Sequence, residues 1–393
     1  LQNPVCESRR GFVFFGSEKR VTWWLCGLMD TRCSPGGVKL SVVHQRLSPF
    51  PSLPGQCFAI AHAMAMMRPS FKGGSLMQRL LRLLSDGEFH SGEDLGRTLG
   101  VSRSAVWKRL QQLQDETGLE IHKVRGRGYR LASPLHVLDL QRLSAAHRGW
   151  GWTVHVHDVI DSTNAEAMRL VAAGAPLPAL VLSEQQTAGR GRRGRKWISP
   201  YAENLYYSLA LRIDGGMRQL EGLSLLVGLA VVNTLREMGV ERAGLKWPND
   251  ILAGGKKLAG ILLELTGDPA DVCHVVIGIG INVNMRTAQE VDQAWTSMRL
   301  ETGIDIDRNE VSSRLSSVLN PYLEVHGRSG FAAFKDEWER HHLWQGCPVT
   351  LLAGSTAVDG MVVGVDAVGA LRLEVEGEVR TFSGGELSLR LRN

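Results

Sequence analysis

Cysteine is scarce in this chain, and no two cysteines stand at a spacing that binds metal or marks a redox site. The 393 residues contain six, Cys6, Cys26, Cys33, Cys57, Cys273 and Cys347, with no C-x-x-C pair, and four precede the first well-patterned segment. That usage argues against a disulfide framework or a zinc knuckle and favours a reducing, cytoplasmic setting. Long apolar runs are missing too: nothing approaches the roughly 18 residues that a spanning helix needs, so no membrane partner is expected. Neither sign of charge dominates, because 45 Lys and Arg face 40 Asp and Glu. The resulting +5 is spread too thinly to name an anionic partner by itself. Histidine pairs occur at His155 with His157 and at His341 with His342, but no third ligand has compatible spacing, so no protein-held metal is expected.

What is present begins late. Residues 1–75 lack sustained periodicity and are broken by Pro35-Gly36-Gly37, Pro49, Pro51, Pro54-Gly55 and Gly73-Gly74, which reads as a poorly ordered extension. The apolar stretch 59–67 lies far from the start and lacks a cleavage pattern, against a signal peptide. The expected true start is Met77; a chain beginning there that failed to fold or act would contradict this.

From Leu76 the texture changes. Leu76, Leu80, Leu81, Leu83 and Leu84 make a helical stripe that stops at Asp86-Gly87. Ser91-Gly92-Glu93-Asp94 has capping-box spacing before Leu95 and Leu99, and Gly100 marks a tight turn. Ser102 then caps a third helix with Val106, Leu110 and Leu113 inward and Arg103, Lys108 and Arg109 outward. Residues 119–131 read as a hairpin with Arg125-Gly126-Arg127-Gly128 at its tip. Helix, helix, turn, helix, basic hairpin is the order of a winged helix-turn-helix over 76–134.

Over 135–344, strand-like runs (154–160, 179–183, 275–281) alternate with helix-like runs (164–173, 219–238), implying an α+β or α/β domain with a substantial sheet. Over 345–393, short alternating strands (349–352, 357–365, 371–375, 379–382) suggest a small β-barrel.

Four segments carry chemistry. The densest is Gly189-Arg190-Gly191-Arg192-Arg193-Gly194-Arg195-Lys196-Trp197. It matches G-x-G-x-x-G, yet arginines fill the variable positions and Ile198-Ser199-Pro200 follows where a dinucleotide-binding helix should open. Glycines allow close approach and guanidiniums neutralise phosphate, so this is a phosphate-gripping loop; a solvated basic loop or nucleic-acid patch is the plainer reading. Lys246-Trp247-Pro248-Asn249-Asp250, with Lys257-Leu258-Ala259-Gly260-Ile261 behind it, puts a lysine at a strand end, although an ordinary surface lysine before a turn would look the same. Gly278-Ile279-Gly280-Ile281-Asn282 has two glycines inside an apolar strand, which suggests close backbone contact or a bulge. Asp161-Ser162-Thr163-Asn164 lies between a strand and a helix, where a simple N-cap would suffice.

Taken together and in this order, these motifs closely resemble the bacterial bifunctional biotin ligases and biotin-operon repressors, the BirA family. The likeness runs from about Met77 to the C-terminus, and residues 1–75 have no counterpart in it. It implies an α+β protein with an N-terminal winged helix-turn-helix, a central class II synthetase-like biotin/lipoyl ligase domain built on a mixed sheet, and a C-terminal SH3-like barrel. It implies ATP, Mg²⁺ and biotin as reactants, biotinyl-5′-AMP as intermediate, and a lysine of the biotin carboxyl carrier protein of acetyl-CoA carboxylase as acceptor. Operator DNA and a ligand-promoted homodimer are the other implied partners.

Carried onto this chain, the resemblance makes Lys246 and Arg192 the catalytic pair. Lys246 would grip the biotin carboxylate and the acyl-phosphate oxygens. Ser162, Thr163, Asn164, Gln186, Arg190 and Gly191 would join them around biotin, with Ser162, Thr163 and Gln186 meeting the ureido ring. Arg190, Arg192, Arg195, Trp197, Asn249 and Asn282 would hold ATP and the adenylate, and Mg²⁺ would enter with the nucleotide. Ser102, Arg103, Lys108, Arg109, Lys123, Arg125 and Arg127, with Arg130, would meet DNA. A ligand-sensing repressor without catalysis and a lipoate ligase are the rival readings.

Overall fold

The computed structural model describes residues 76–393 except 215, 268–272, 289–290, 354–355, 384–386 and 393; the expectations for 1–75 lie outside the described residues. The first elements are α1 (Leu76–Leu84), α2 (Gly92–Leu99), α3 (Arg103–Thr117), β1 (Ile121–Val124) and β2 (Gly128–Leu131). Ser91 and Ser102 adopt extended backbone and accept hydrogen bonds from Asp94 N and Ala105 N, capping α2 and α3 where the spacing predicts. The expected capping box is modified, because the Asp94 carboxylate accepts the Ser91 hydroxyl and pairs with Arg97. Gly100 takes φ 71°, and this left-handed residue makes the turn that swings α3 away from α2. The leucine stripes meet with Val106, Tyr129 and Leu131 in one core. Tyr201 and Ala202, from beyond the arginine loop, complete that core, so the winged unit is closed from outside itself.

After α4 (Leu140–His147) comes a seven-stranded sheet in the order β3-β4-β5-β9-β8-β7-β6. Its strands are β3 (Thr153–Ile160), β4 (Ala179–Gln186), β5 (Leu205–Ile213), β6 (Ala243–Lys246), β7 (Asp250–Ala253), β8 (Lys256–Gly267) and β9 (Cys273–Ile281). Only β3 and β4 run parallel, joined through α5 (Thr163–Ala172); every other pairing is antiparallel, so the sheet is mixed.

Side chains alternate across the pleat, and each strand therefore serves two faces. Leu180 and Leu182 on β4, Leu205, Tyr207 and Leu209 on β5, and Val275, Ile277, Ile279 and Ile281 on β9 enter the main core, together with residues of α6 (Leu223–Glu237) and α8 (Arg308–Ser329). Ala179, Val181, Ala210 and Val276 point the other way and pack beneath Ala167, Met168 and Val171 of α5. Helix α5 is short and covers only part of that face. The remainder is the floor of the site described below.

Helices α7 (Met298–Thr302) and α9 (Lys335–His341) flank α8 in sequence. The C-terminal strands β10 (Pro348–Ala353), β11 (Thr356–Val365), β12 (Leu371–Val375), β13 (Glu378–Phe382) and β14 (Leu387–Leu391) form an antiparallel sheet in the order β13-β12-β11-β10-β14. Strand β14 is absent from the sequence reading. Val349, Leu351, Val362, Leu371, Leu373 and Leu389 join the same hydrophobic cluster as α6 and the large sheet, which fastens this domain to the catalytic one.

Candidate active site and nucleic-acid face

The site grows from the uncovered sheet face. Register places Tyr206 opposite Gly280 and Ser208 opposite Gly278, while Gly280 also faces Gly260 on β8. A Cβ on Gly280 would stand 2.5 Å from the Trp197 ring, and one on Gly278 would stand 2.2 Å from Asn164 Oδ1. The glycines thus let an indole and an amide lie directly on the backbone, the close approach that the sequence suggested.

Asp161-Ser162-Thr163-Asn164 does more than begin α5. Ser162 occupies the N-cap position, yet its hydroxyl makes no capping bond. Gln186 Oε1 accepts from Thr163 N (2.9 Å) and Thr163 Oγ1 (3.1 Å), while Gln186 Nε2 donates to Ser199 Oγ at 3.1 Å. Ser208, fully buried, donates toward Asn164 Oδ1 at 2.6 Å and lies 2.8 Å from Thr163 Oγ1. Asn164 Nδ2 reaches Glu264 Oε2 at 2.8 Å, and the same oxygen receives Arg190 at 2.9 Å. A chain of polar contacts therefore runs from β5 through α5 to the arginine loop. Ser208 is absent from the sequence reading, since a serine within an apolar strand gives no local signal.

The arginine loop opens no α-helix; it forms one short turn over Arg192–Gly194. Gly191 N donates to Arg195 O at 2.7 Å and Trp197 N to Gly189 O at 2.9 Å, so the loop folds back on itself. Arg192 donates to Asn249 Oδ1 at 2.8 Å, and Asn249 Nδ2 donates to Ile261 O at 2.9 Å.

Two hollows meet here. A narrow one of about 50 Å³ is lined by Ser162, Thr163, Asn164, Gln186 and Arg190 over the glycine floor. A wider one of about 270 Å³ is lined by Arg195, Asn282, Met285, Val291 and Trp295. Gly191, Arg192, Trp197, Asn249 and Lys257 border both. The residues expected around biotin gather in the narrow hollow, except Lys246. Those expected around the nucleotide gather in the wide one, except Arg190. Asn282 acts through the backbone, its amide donating to Thr296 O at 3.0 Å and thereby holding the loop that carries Trp295.

Lys246 borders neither hollow. It lies in an adjoining cleft with Arg193, Arg195 and Arg390, 3.6 Å from Asp250 Oδ2 and 5.1 Å from the centre of the Trp344 ring. Burial lowers its pKa, with Asp250 opposing that shift. Lys257 is the ammonium at the junction, 2.7 Å from Asp250 Oδ1 and 5.6 Å from the Trp197 ring centre. Asp250 is itself buried, which favours its protonated form, but Lys257, helped by Lys246 and Arg195, holds its pKa below the ordinary value. Arg390 on β14 was also missed, because nothing local links it to a loop almost two hundred positions earlier.

In the winged unit Arg103, Lys108, Arg109, Lys123, Arg125 and Arg127 are all exposed, and Ser102 serves as the cap of α3. Arg109 donates to Gln112 at 2.7 Å. Arg127 and Arg130 lie over the Phe89 ring, 4.2 and 4.9 Å from its centre, so this aromatic shelf supports two of the wing's guanidiniums.

Comparison with known proteins agrees with this geometry. The chain is 40% identical over 321 residues to the bifunctional ligase/repressor BirA of Escherichia coli, covering 81% of this chain and 98% of that one. The chain belongs to the bifunctional biotin ligase and repressor family. Within it, residues 156–282 match the biotin/lipoate A/B protein ligase family, 76–130 an HTH domain and 346–390 the biotin protein ligase C terminal domain. The biotin--[acetyl-CoA-carboxylase] ligase of Mycobacterium tuberculosis is 35% identical over 66% of this chain and 97% of its own length. The biotin protein ligase from Aquifex aeolicus, solved in complex with biotin and ATP, superposes with a TM-score of 0.55 at 32% identity over 61% of this chain and 99% of that one. The α+β fold, with its helix-turn-helix, mixed-sheet ligase domain and antiparallel C-terminal sheet, is that of the family. Among the described residues, no helix is long and apolar enough to cross a membrane.

Proposed function

We propose that this family member activates biotin with Mg-ATP to biotinyl-5′-AMP, transfers biotin to a carrier-protein lysine, and represses transcription through its winged unit. One observation carries the enzymatic reading: a narrow polar hollow and a wider basic one meet at Gly191, Arg192, Trp197, Asn249 and Lys257. Biotin in the first and the nucleotide in the second would put carboxylate and α-phosphate together at that junction.

In the first step a carboxylate oxygen attacks the α-phosphorus and the bond to the β-phosphate oxygen breaks, releasing pyrophosphate. Both partners are anionic, so the protein's work is alignment and charge neutralisation. We assign that work to Lys257 with Arg192, and give Lys246, with Arg193, Arg195 and Arg390, to the phosphates being displaced. Mg²⁺, arriving with the nucleotide, would add positive charge against the phosphates beside Arg192, Arg195 and Lys257. Ser162 brings an uncommitted hydroxyl to the biotin ring, Gln186 holds Thr163 in place, and Trp197 shields the anhydride from water. In the second step the carrier's amine attacks the acyl carbon, AMP leaves with the electron pair, and the ammonium sheds its proton.

The carrier protein of acetyl-CoA carboxylase is the proposed acceptor. A homodimer formed in response to biotinyl-AMP is the proposed DNA-binding species, which requires the ligand to favour the dimer-competent state. Pyrophosphate release from Mg-ATP with biotin or lipoate, followed by mass analysis of an added carrier domain, tests the enzyme. Turnover with biotin only, plus a biotinylated carrier, is expected; lipoate turnover or a folded but inert protein would overturn the reading. Sedimentation with and without biotin and Mg-ATP tests the dimer.

A further inference from the structure

Tryptophan 107 has no part in the architecture above, and its surroundings are unusual. It follows Val106, which is wholly buried, yet it is 45% exposed itself. Within α1 to β2 only Trp107 and Val124 are large hydrophobic side chains left exposed, and both lie in the basic elements α3 and β1. An isolated exposed apolar side chain needs no explanation. Trp107, however, walls an open groove of about 520 Å³ between helix and wing, together with Arg103, Ser104, Lys123 and Tyr129. No acidic side chain lines that groove, and cations stand on both its sides. Lys123 lies 5.9 Å from the Tyr129 ring centre, which ties the wing side of the groove to its aromatic floor.

Two cations with no facing carboxylate suit an anionic occupant, and the exposed indole beside them offers it an apolar contact. Phosphate contacts by Arg103, Lys108 and Lys123 set position without distinguishing sequence. A helix in the major groove distinguishes bases by their edges, and the 5-methyl of thymine is the apolar feature there. We propose that Trp107 is a specificity-determining residue that packs against thymine methyl groups when α3 enters the major groove. The proposal rests on the DNA-binding reading and adds to it the residue and base feature that carry discrimination.

The test uses the full chain with biotin and Mg-ATP, and a duplex that it selects from a random pool. Affinities are measured for that duplex and for copies carrying deoxyuridine in place of each thymine in turn, with the parent protein, Trp107→Ala and Trp107→Phe. The parent is expected to lose roughly five-fold or more at one or two positions. Trp107→Ala should bind thymine and deoxyuridine equally there, with an unchanged slope of affinity against salt, and Trp107→Phe should keep part of the discrimination. Unaltered carrier biotinylation shows that the variants fold. Equal thymine preference in the parent and Trp107→Ala would overturn the proposal, whereas a parent that selects no sequence would remove the DNA-binding reading itself.

Discussion

Gly260 and Gly280 face one another across the β8 and β9 ladder, and the Trp197 ring rests over both. The indole can come this close to the strand because Gly280 carries no Cβ, while a Cβ at Gly260 would make a milder contact of 3.2 Å. Gly280→Ala would put a carbon 2.5 Å from that ring on a strand hydrogen-bonded on both sides, so the tryptophan must move. Adenylate synthesis should fall about 100-fold, the scale expected for misplaced reacting groups. Gly149→Ala, with open space around its Cβ, is the control and should be silent. Biotin-dependent pyrophosphate release read beside thermal melting separates a site effect from a folding one.

The two lysines near Asp250 can be told apart by activity. Lys257→Ala should lower adenylate synthesis by about 10²–10³, the usual cost of removing one electrostatic stabiliser. Lys246→Ala should act mainly through KM for ATP. The reverse pattern would return the principal role to Lys246, as the sequence motif suggested.

Arg308 is fully buried and pairs with Glu184, which is nearly so. The same guanidinium donates to His136 O at 2.8 Å and Asn204 O at 3.1 Å, and Glu184 accepts from Leu138 N at 2.6 Å. The pair therefore clamps the segment leading from the winged unit into the ligase domain. Arg308→Met leaves a buried carboxylate uncompensated and should destabilise by about 3–5 kcal/mol. Arg308→Met with Glu184→Gln should recover part of that in denaturant titrations; a double variant no better than the single one would argue against the clamp.

His342, stacked on Trp338 at 4.7 Å, has its pKa lowered from 6.5 to about 4 by burial, with Gln345 opposing weakly. The unfolded chain takes up this proton near 6.5 while the folded chain resists until about 4. Stability is therefore undiminished above 6.5 and declines as pH falls through this window, by about 3 kcal/mol in all. Melting temperatures from pH 7.5 to 4.5 should show the decline, and His342→Leu should flatten it. An equally steep acid limb in the variant would assign the effect to other groups.

The local grammar of the chain is legible in its sequence. Ser102 marked the start of α3 and Gly100 the turn before it, because capping and left-handed backbone are decided within a few residues. Gly278 and Gly280 announced a close approach, though not to what. Ser208 and Arg390 stayed silent, since a buried serine and a terminal arginine acquire meaning only from the strands beside them. Lys246 drew attention through its Trp-Pro neighbours. Lys257, in a plainer segment, is the lysine that borders both hollows.

The sequence by itself determined the family, the order of the three domains, the caps of the winged unit and the position of the arginine-rich loop, because periodicity, caps and glycine placement act over short distances. The tertiary structure decided which lysine stands at the junction, which glycines lie beneath Trp197, and that Tyr201 and Ala202 close the core of the winged unit. The first two depend on register between strands far apart in the chain, and the third on a turn that packs against helices distant from it in sequence. A shift of one residue in that register would turn every such side chain to the opposite face.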